Sequence, residues 1–98
     1  MLTVIVSFNV KSADIPAFIA ATLAEARTSL NDPGVVQMEL LQASSDAAHL
    51  ALHEVFESRP VGLQHLEMAH FKQWQDTIKP MLVEPSHAVA YDPVLPKG

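Results

Sequence analysis

The chain has no cysteine and only six basic residues, and both features exclude classes of function. Without cysteine, neither a disulfide nor a cysteine-ligated zinc ion can stabilise the fold. The six lysine and arginine residues are scattered along 98 residues and the net charge is −5, so no basic stripe for nucleic acid is present. No apolar run reaches the ~20 residues that a membrane helix needs. We therefore expect neither nucleic acid nor a membrane as a partner.

Several other signals are missing from the sequence. The first ten residues, MLTVIVSFNV, are apolar but carry neither a basic leader nor a small-residue cleavage site, so they predict a strand rather than a signal peptide. There is no glycine-rich phosphate loop and no serine or cysteine nucleophile motif. We expect a cytoplasmic protein whose chemistry uses no covalent intermediate.

The apolar content is high for so short a chain. Apolar residues make up 49% of 98 residues, more than a single small core can bury. Such chains commonly share the excess with a second copy. We expect one domain over residues 1–98 that forms a homodimer, with residues 92–98 as a tail that lies on the partner.

The alternation of hydrophobic periods predicts the order of elements. Period-two segments predict strands, and apolar residues at helical spacing predict helices. The order β-α-β-β-α-β predicts an α+β, ferredoxin-like fold, with a four-stranded antiparallel sheet and helices on one face. The predicted strands are 2–11, 35–43, 49–57 and 86–92. The first predicted helix is 14–30, and the second begins at Ser58-Arg59-Pro60, with Ser58 as its cap, runs to about Met81 and is interrupted near 67–70.

The segment LQHLEMAHF (63–71) contains two histidines five residues apart. In one continuous helix this spacing turns the side chain by about 140°, so His65 and His70 would point to different sides. A metal site built on this segment is therefore not expected, since helical ligand pairs share a face. If the helix breaks between them, both histidines could face one hollow.

Glu54 is a second candidate, since alternation places it in line with Leu50, Leu52 and Phe56 on the helix-covered face. A buried carboxylate must be hydrogen-bonded or have a raised pKa. It could simply anchor the start of the following helix, or it could orient a histidine in a site. Aromatic residues could form the walls of an apolar hollow or belong to the core; they are Phe8, Phe18, Phe56, Phe71 and Trp74. In the last strand His87, Val89 and Tyr91 share a face, where Tyr91 and His87 could line a pocket or Tyr91 could simply pack.

The chain resembles the antibiotic biosynthesis monooxygenase family of dimeric α+β barrels. The resemblance is carried by TVIVSFNVKSADIPAF, by NDPGVVQMELLQ and above all by LALHEVFESRPVGLQHLEMAHFKQW. In that last run the positions that match the family are Glu54, Phe56, Ser58, Arg59, His65, His70 and Phe71.

The resemblance implies a protomer that dimerises by packing its sheet on that of its partner and keeps a pocket between sheet and helices. Members of the family oxidise phenols or quinols without a cofactor, degrade haem, or isomerise a phosphorylated signal molecule of the autoinducer-2 type. The haem-degrading branch is least similar, because Gln75 falls where its histidine ligand should be and His65 replaces its tryptophan.

We therefore expect a cofactor-free, metal-free monooxygenase that acts with dioxygen on a small phenolic, quinol-type or enolisable compound. The alternatives are an isomerase of a small signal molecule and a non-catalytic ligand-binding dimer. The expected catalytic residues are His65 as base, His70 as second choice and Glu54 as orienting carboxylate. The expected substrate-binding residues are Phe56, Phe71, Trp74, Tyr91 and Arg59.

Overall fold

The computed structural model of the protein describes residues 1–94. The strands are β1 (Leu2–Asn9), β2 (Val35–Ala43), β3 (Asp46–Phe56) and β4 (His87–Tyr91), and the α-helices are α1 (Ile15–Ser29), α2 (Arg59–His65) and α3 (Ala69–Ile78). Two 3₁₀ turns, Ser12–Asp14 and Lys79–Met81, precede α1 and follow α3. The predicted β-α-β-β-α-β order is confirmed, with the second helical stretch divided into α2 and α3.

The four strands form one antiparallel sheet in the order β2-β3-β1-β4. In the centre of the sheet β1 lies between β3 and β4, with Val4 opposite Glu54 on one side and Ala90 on the other. Because successive side chains alternate between the two faces, this register puts Val4, Glu54 and Ala90 on one face together. The ferredoxin-like prediction is confirmed.

The core lies between the sheet and the helices. Phe8, Phe18 and Trp74 pack together, with ring centroids 5.0 Å apart for Phe8 and Phe18 and 6.0 Å for Phe8 and Trp74. The indole N–H of Trp74 donates a buried hydrogen bond of 3.1 Å to the hydroxyl of Thr22 in α1. This bond satisfies the polar atom of a large buried side chain and ties α3 to α1.

Several boundaries differ from the predicted ones. β1 ends at Asn9 rather than at residue 11, because Val10 leaves the ladder and forms an isolated bridge with Leu82. β3 begins at Asp46 rather than at residue 49, so the hairpin turn is tighter than predicted. Of the predicted tail 92–98, residues 95–98 lie outside the described residues.

In the part of the chain that the structure describes, residues 1–94, the outer face of the sheet carries no helix. It presents β1 residues Thr3, Ile5 and Ser7, and a polar group on β2 and β3 in which the Gln37 side-chain amide lies 3.3 Å from Nδ1 of His53. Among residues 1–94, no helix is of a length and hydrophobicity suited to crossing a bilayer.

Gly34, in the turn that follows α1, occupies a position that disfavours any other residue. Its φ is +84°, and a Cβ there would lie 2.8 Å from both terminal methyl carbons of Val61. We expect Gly34→Ala to lower the free energy of unfolding by about 2 kcal/mol, since a left-handed conformation strains any residue with a Cβ.

Urea unfolding at fixed protein concentration measures this effect. In a Val61→Ala background the steric part should disappear, so the same glycine substitution should cost less there. Equal stability of Gly34→Ala and the unmodified protein would contradict the prediction.

Candidate functional site

A cavity of about 340 Å³ lies between the inner face of the sheet and the helices α2 and α3. β4 contributes only small side chains to it, and Gly62 lets α2 approach the sheet, since a Cβ there would lie 2.9 Å from Leu2 Cδ2. Its walls are mainly apolar: Leu2, Val4, Val6, Phe56, Leu63, Leu66, Phe71, Trp74, Ile78, Ala88 and Ala90. The polar groups that reach it are few and include Glu54, Arg59, His65, Gln75 and Ser86.

Glu54 extends from near the C-terminal end of β3 into this cavity. It is 6% exposed, because its inward-facing position in β3 places it between β1 and β2 and under the helices. Burial, reinforced by the negative charge of Glu25, raises the pKa of Glu54 to about 7. Near neutral pH the carboxyl group can therefore either give or take a proton.

His65 ends α2 and forms another wall of the same cavity. Its ring packs between Phe56 and Phe71, with centroid distances of 5.4 and 5.0 Å, and the residue is 4% exposed. Burial, assisted by the positive charge of His70, lowers the pKa of His65, although the charge of Asp32 opposes this. Nδ1 of His65 is buried and has no hydrogen-bond partner among the described residues. The ring is thus a neutral imidazole at neutral pH.

His70 does not line the cavity, and this corrects the expectation that both histidines would face one hollow. The chain does break between them, at Leu66–Met68, and their ring centroids are 6.0 Å apart. However, the ring of His70 turns towards α1. Its Nδ1 donates to Oε2 of Glu25 and its Nε2 donates to Oδ2 of Asp32, both at 2.7 Å.

These three side chains form an ionic cluster behind His65. Burial alone would lower the pKa of His70, but hydrogen bonds to Glu25 and Asp32 and their charges raise it above its usual value. Ser29 adds a hydrogen bond of 3.2 Å to Oε2 of Glu25. His70 is therefore an imidazolium that both carboxylates hold in place.

A second, smaller cleft of about 90 Å³ adjoins His65 on another side. It is lined by Asp32, Pro33, Val35, Val61, Gln64, His65 and Met68. His65 thus contributes to the walls of both spaces.

The predicted substrate-binding residues separate into two groups. Phe56, Phe71, Trp74 and Arg59 line the cavity, and the guanidinium of Arg59 makes a 3.1 Å ion pair with Asp92. Tyr91 does not line it, which corrects the expectation. It pairs with Thr3, so its side chain lies on the outer face of the sheet and is 51% exposed; Ala88 and Ala90 are the inward residues of β4.

Sequence reasoning missed Glu25 and Asp32. Glu25 lies on the buried side of α1 with Phe18, Thr22 and Ser29, so its helical spacing could have identified it as a buried carboxylate. Asp32 lies in the NDPG turn, where an aspartate ordinarily indicates only turn geometry. Within residues 1–94 no group of three or more histidine, cysteine or acidic side chains has the arrangement to hold a metal ion.

Comparisons with known proteins agree with this architecture. The model of the family described as antibiotic biosynthesis monooxygenase matches residues 1–77. No curated protein sequence matches the chain at a significant level.

Solved structures resemble the chain over nearly its whole length. One from Nitrosomonas europaea, presented as a candidate antibiotic biosynthesis monooxygenase, is 31% identical; the match covers 96% of this chain and 99% of that one, with a TM-score of 0.92. Rv0793 from Mycobacterium tuberculosis is 18% identical, with 99% and 98% covered and a TM-score of 0.91, and this likeness concerns the fold alone. Since the family model matches most of the chain and the cavity lies where such a protomer is expected to hold one, the chain belongs to the antibiotic biosynthesis monooxygenase family.

Proposed function

We propose that the protein is a cofactor-independent monooxygenase that oxidises a small phenolic, quinol-type or enolisable compound with dioxygen. The observation that supports this most is Glu54, a buried carboxyl group with a pKa of about 7 at the wall of an apolar cavity. A group that titrates near neutral pH suits general base catalysis, since it is both partly ionised and sufficiently basic.

The cavity favours a compact, largely apolar substrate. Its volume of about 340 Å³ is at the lower end of small-molecule sites, and aromatic rings of Phe56, Phe71 and Trp74 contribute to its walls. An aromatic substrate with one or two hydroxyl groups could pack on these rings and place an acidic C–H or O–H beside Glu54.

The roles of Glu54 and His65 differ from the sequence-based assignment. The lowered pKa of His65 makes it a weaker base, whereas the raised pKa of Glu54 makes that carboxylate a stronger one. We assign proton removal to Glu54. His65, as a neutral imidazole, would form a hydrogen bond with the substrate oxygen and orient it.

The chemistry balances without a further reactant. Glu54 removes a proton, and the electron-rich anion transfers electrons to dioxygen as a carbon–oxygen bond forms. The peroxide anion that results takes the proton back from Glu54 and becomes a hydroperoxide. Its O–O bond and the second C–H bond of the same carbon then break, and the hydroxide and this second proton leave as water, so a CH₂ group and O₂ become a carbonyl group and H₂O. Apolar walls exclude bulk water and shield the anion from competing protonation.

The uncovered outer face of the sheet supports a homodimer as the working form. It exposes apolar Ile5 and Val89 beside polar Gln37, Glu39 and His53, the mixed composition of a surface between subunits. We propose a cytoplasmic location, in keeping with a chain that has no cysteine.

Arg59 favours a second candidate, an isomerase of a small phosphorylated signal molecule. Arg59 is among the residues that line the cavity, and a guanidinium is a suitable partner for a phosphate, though Asp92 competes for it. The same acid–base pair would then move a proton between two carbons without consuming oxygen.

Oxygen uptake with a panel of quinols and phenols tests the proposal. We expect uptake with product formation by the unmodified protein and a loss of about 10²-fold in His65→Gln, which removes the orienting imidazole. Lys72→Gln is the control, because Lys72 is an exposed residue of α3 that pairs with Glu67 at the surface, away from the cavity and from the outer face of the sheet.

The other outcomes discriminate between the alternatives. Conversion of a substrate without oxygen uptake would favour the isomerase. Ligand binding without any turnover would favour a non-catalytic binding protein, and either result would overturn the monooxygenase assignment.

A further inference from the structure

The ionic cluster of Glu25, His70 and Asp32 lies behind His65 and has no part in the mechanism described above. It joins three separate elements, since Glu25 belongs to α1, Asp32 to the turn after α1, and His70 to α3. Partial burial of three charged side chains costs free energy of desolvation, so we asked which role could offset that cost.

We propose that His70 is a positioning residue that acts electrostatically on the cavity: an imidazolium fixed between two carboxylates, it holds His65 as a neutral imidazole and offsets the charge of Glu25 towards Glu54. This inference rests on the proposed function of the cavity and deepens it. Without His70, Glu54 would be influenced by the uncompensated charge of Glu25, and His65 by that of Asp32.

The geometry supports an effect on His65. The two imidazole rings are 6.0 Å apart between centroids and tilted by 58°, and His65 is almost fully buried. Little solvent screens the interaction at that distance. The positive ring of His70 therefore opposes a second positive charge on His65, in agreement with the direction of the His65 pKa.

The charge of Glu25 also connects the cluster with Glu54. The carboxylate of Glu25 is the charged neighbour that raises the pKa of Glu54, and Glu25 is bonded at 2.7 Å to His70. Loss of the imidazolium would leave that negative charge unbalanced and favour the protonated form of Glu54 further.

The groups that face this assembly are few. His70 faces Glu25 from α1, Asp32 from the turn and His65 from α2, while Lys72 on its own helix is paired with Glu67 at the surface. Glu54 shares its cavity with His65 and Arg59. With two carboxylates and one imidazolium, the cluster has a net charge of −1, and it would have −2 without the charge of His70.

An NMR titration of the ring carbons of His65 tests the proposal without depending on turnover. We expect the pKa of His65 to move upwards in His70→Gln, because a neighbouring positive charge is lost and two negative charges are unmasked. We expect it to move downwards in Asp32→Asn, because His70 remains charged in the range where His65 titrates. Lys72→Gln, which removes an exposed positive charge from the same helix, should leave it unchanged.

His70→Arg, which keeps a positive charge, distinguishes an electrostatic role from a structural one: it should leave the pKa of His65 unchanged, whereas loosened packing would raise it in both His70 variants. If His70→Gln does not fold, His70→Asn, the shorter amide, takes its place with the same expected upward shift. An unchanged His65 titration in the folded amide variant would overturn the proposal. If the shifts are present but no substrate is turned over, the proposed function fails while the electrostatic role stands.

In a preparation with enzymatic activity, His70→Gln has a second measurable effect. The acid limb of the pH–rate profile, which reports ionisation of Glu54, should move to higher pH in His70→Gln. A fall in rate at all pH values with no displacement of this limb would contradict the role assigned to His70.

Discussion

Glu54→Gln is expected to reduce turnover by about 10³-fold while leaving the fold intact. Glutamine matches the shape of the protonated carboxyl group but cannot accept a proton, and positioned general bases contribute 10² to 10⁴-fold. The loss should appear in kcat, with little change in KM, because the cavity walls that bind the substrate are unaltered. Steady-state oxygen uptake with the best substrate of the panel measures both constants.

The matched control is Glu57→Gln, which removes an exposed carboxylate three residues further along the chain. It should retain the activity of the unmodified protein. Turnover in Glu54→Gln within about twofold of that level would remove Glu54 from the proton-transfer step and return the base role to His65.

Glu54→Gln is also expected to abolish the pH dependence of stability that the Glu54 carboxyl group causes. With a pKa of about 7 in the folded state against 4.5 as the ordinary value, Glu54 keeps a proton in the folded protein that the unfolded chain has released. Between these two pH values the free energy of unfolding therefore falls as pH rises, by about 3 kcal/mol in all. Below pH 4.5 and above pH 7 the contribution is level.

Glu54→Gln should accordingly match the unmodified protein near pH 4.5 and exceed its stability by about 3 kcal/mol at pH 8. Urea unfolding at fixed protein concentration, at several pH values, measures the difference, with Glu57→Gln as a control that keeps the slope. A pH dependence that persists unchanged in Glu54→Gln would show that the carboxyl group is not buried in its charged form. A loss of turnover together with a gain in stability would show that Glu54 destabilises the fold and is nevertheless needed for catalysis.

Alternation along a strand predicted the position of Glu54 well. Leu50, Leu52 and Phe56 are buried on the helix-covered face, and a carboxylate in phase with them could point nowhere else. The same rule applied to β4 predicted that His87, Val89 and Tyr91 share a face. It could not predict which face, because alanines occupy the other positions and small residues give no preference for core or solvent.

The local sequence pattern could not predict the orientation of the His65 and His70 side chains. Their spacing predicted different directions only for one continuous helix, and the helix breaks between them. The two rings nevertheless differ in direction. The orientation of His70 is decided by Glu25 and Asp32, which are 45 and 38 positions away in the sequence. Long-range charge pairs of this kind leave no periodic signal in a single chain.

The small side chains at one edge of the sheet bear on the size of the substrate. Ser86, just before β4, and Ala88 and Ala90 within β4 line the cavity beside β1. Larger residues at these three positions would shorten the cavity while leaving Glu54 and His65 in place. The side chains at this edge thus limit the length of the molecule that the cavity admits, independently of the residues that transfer the proton.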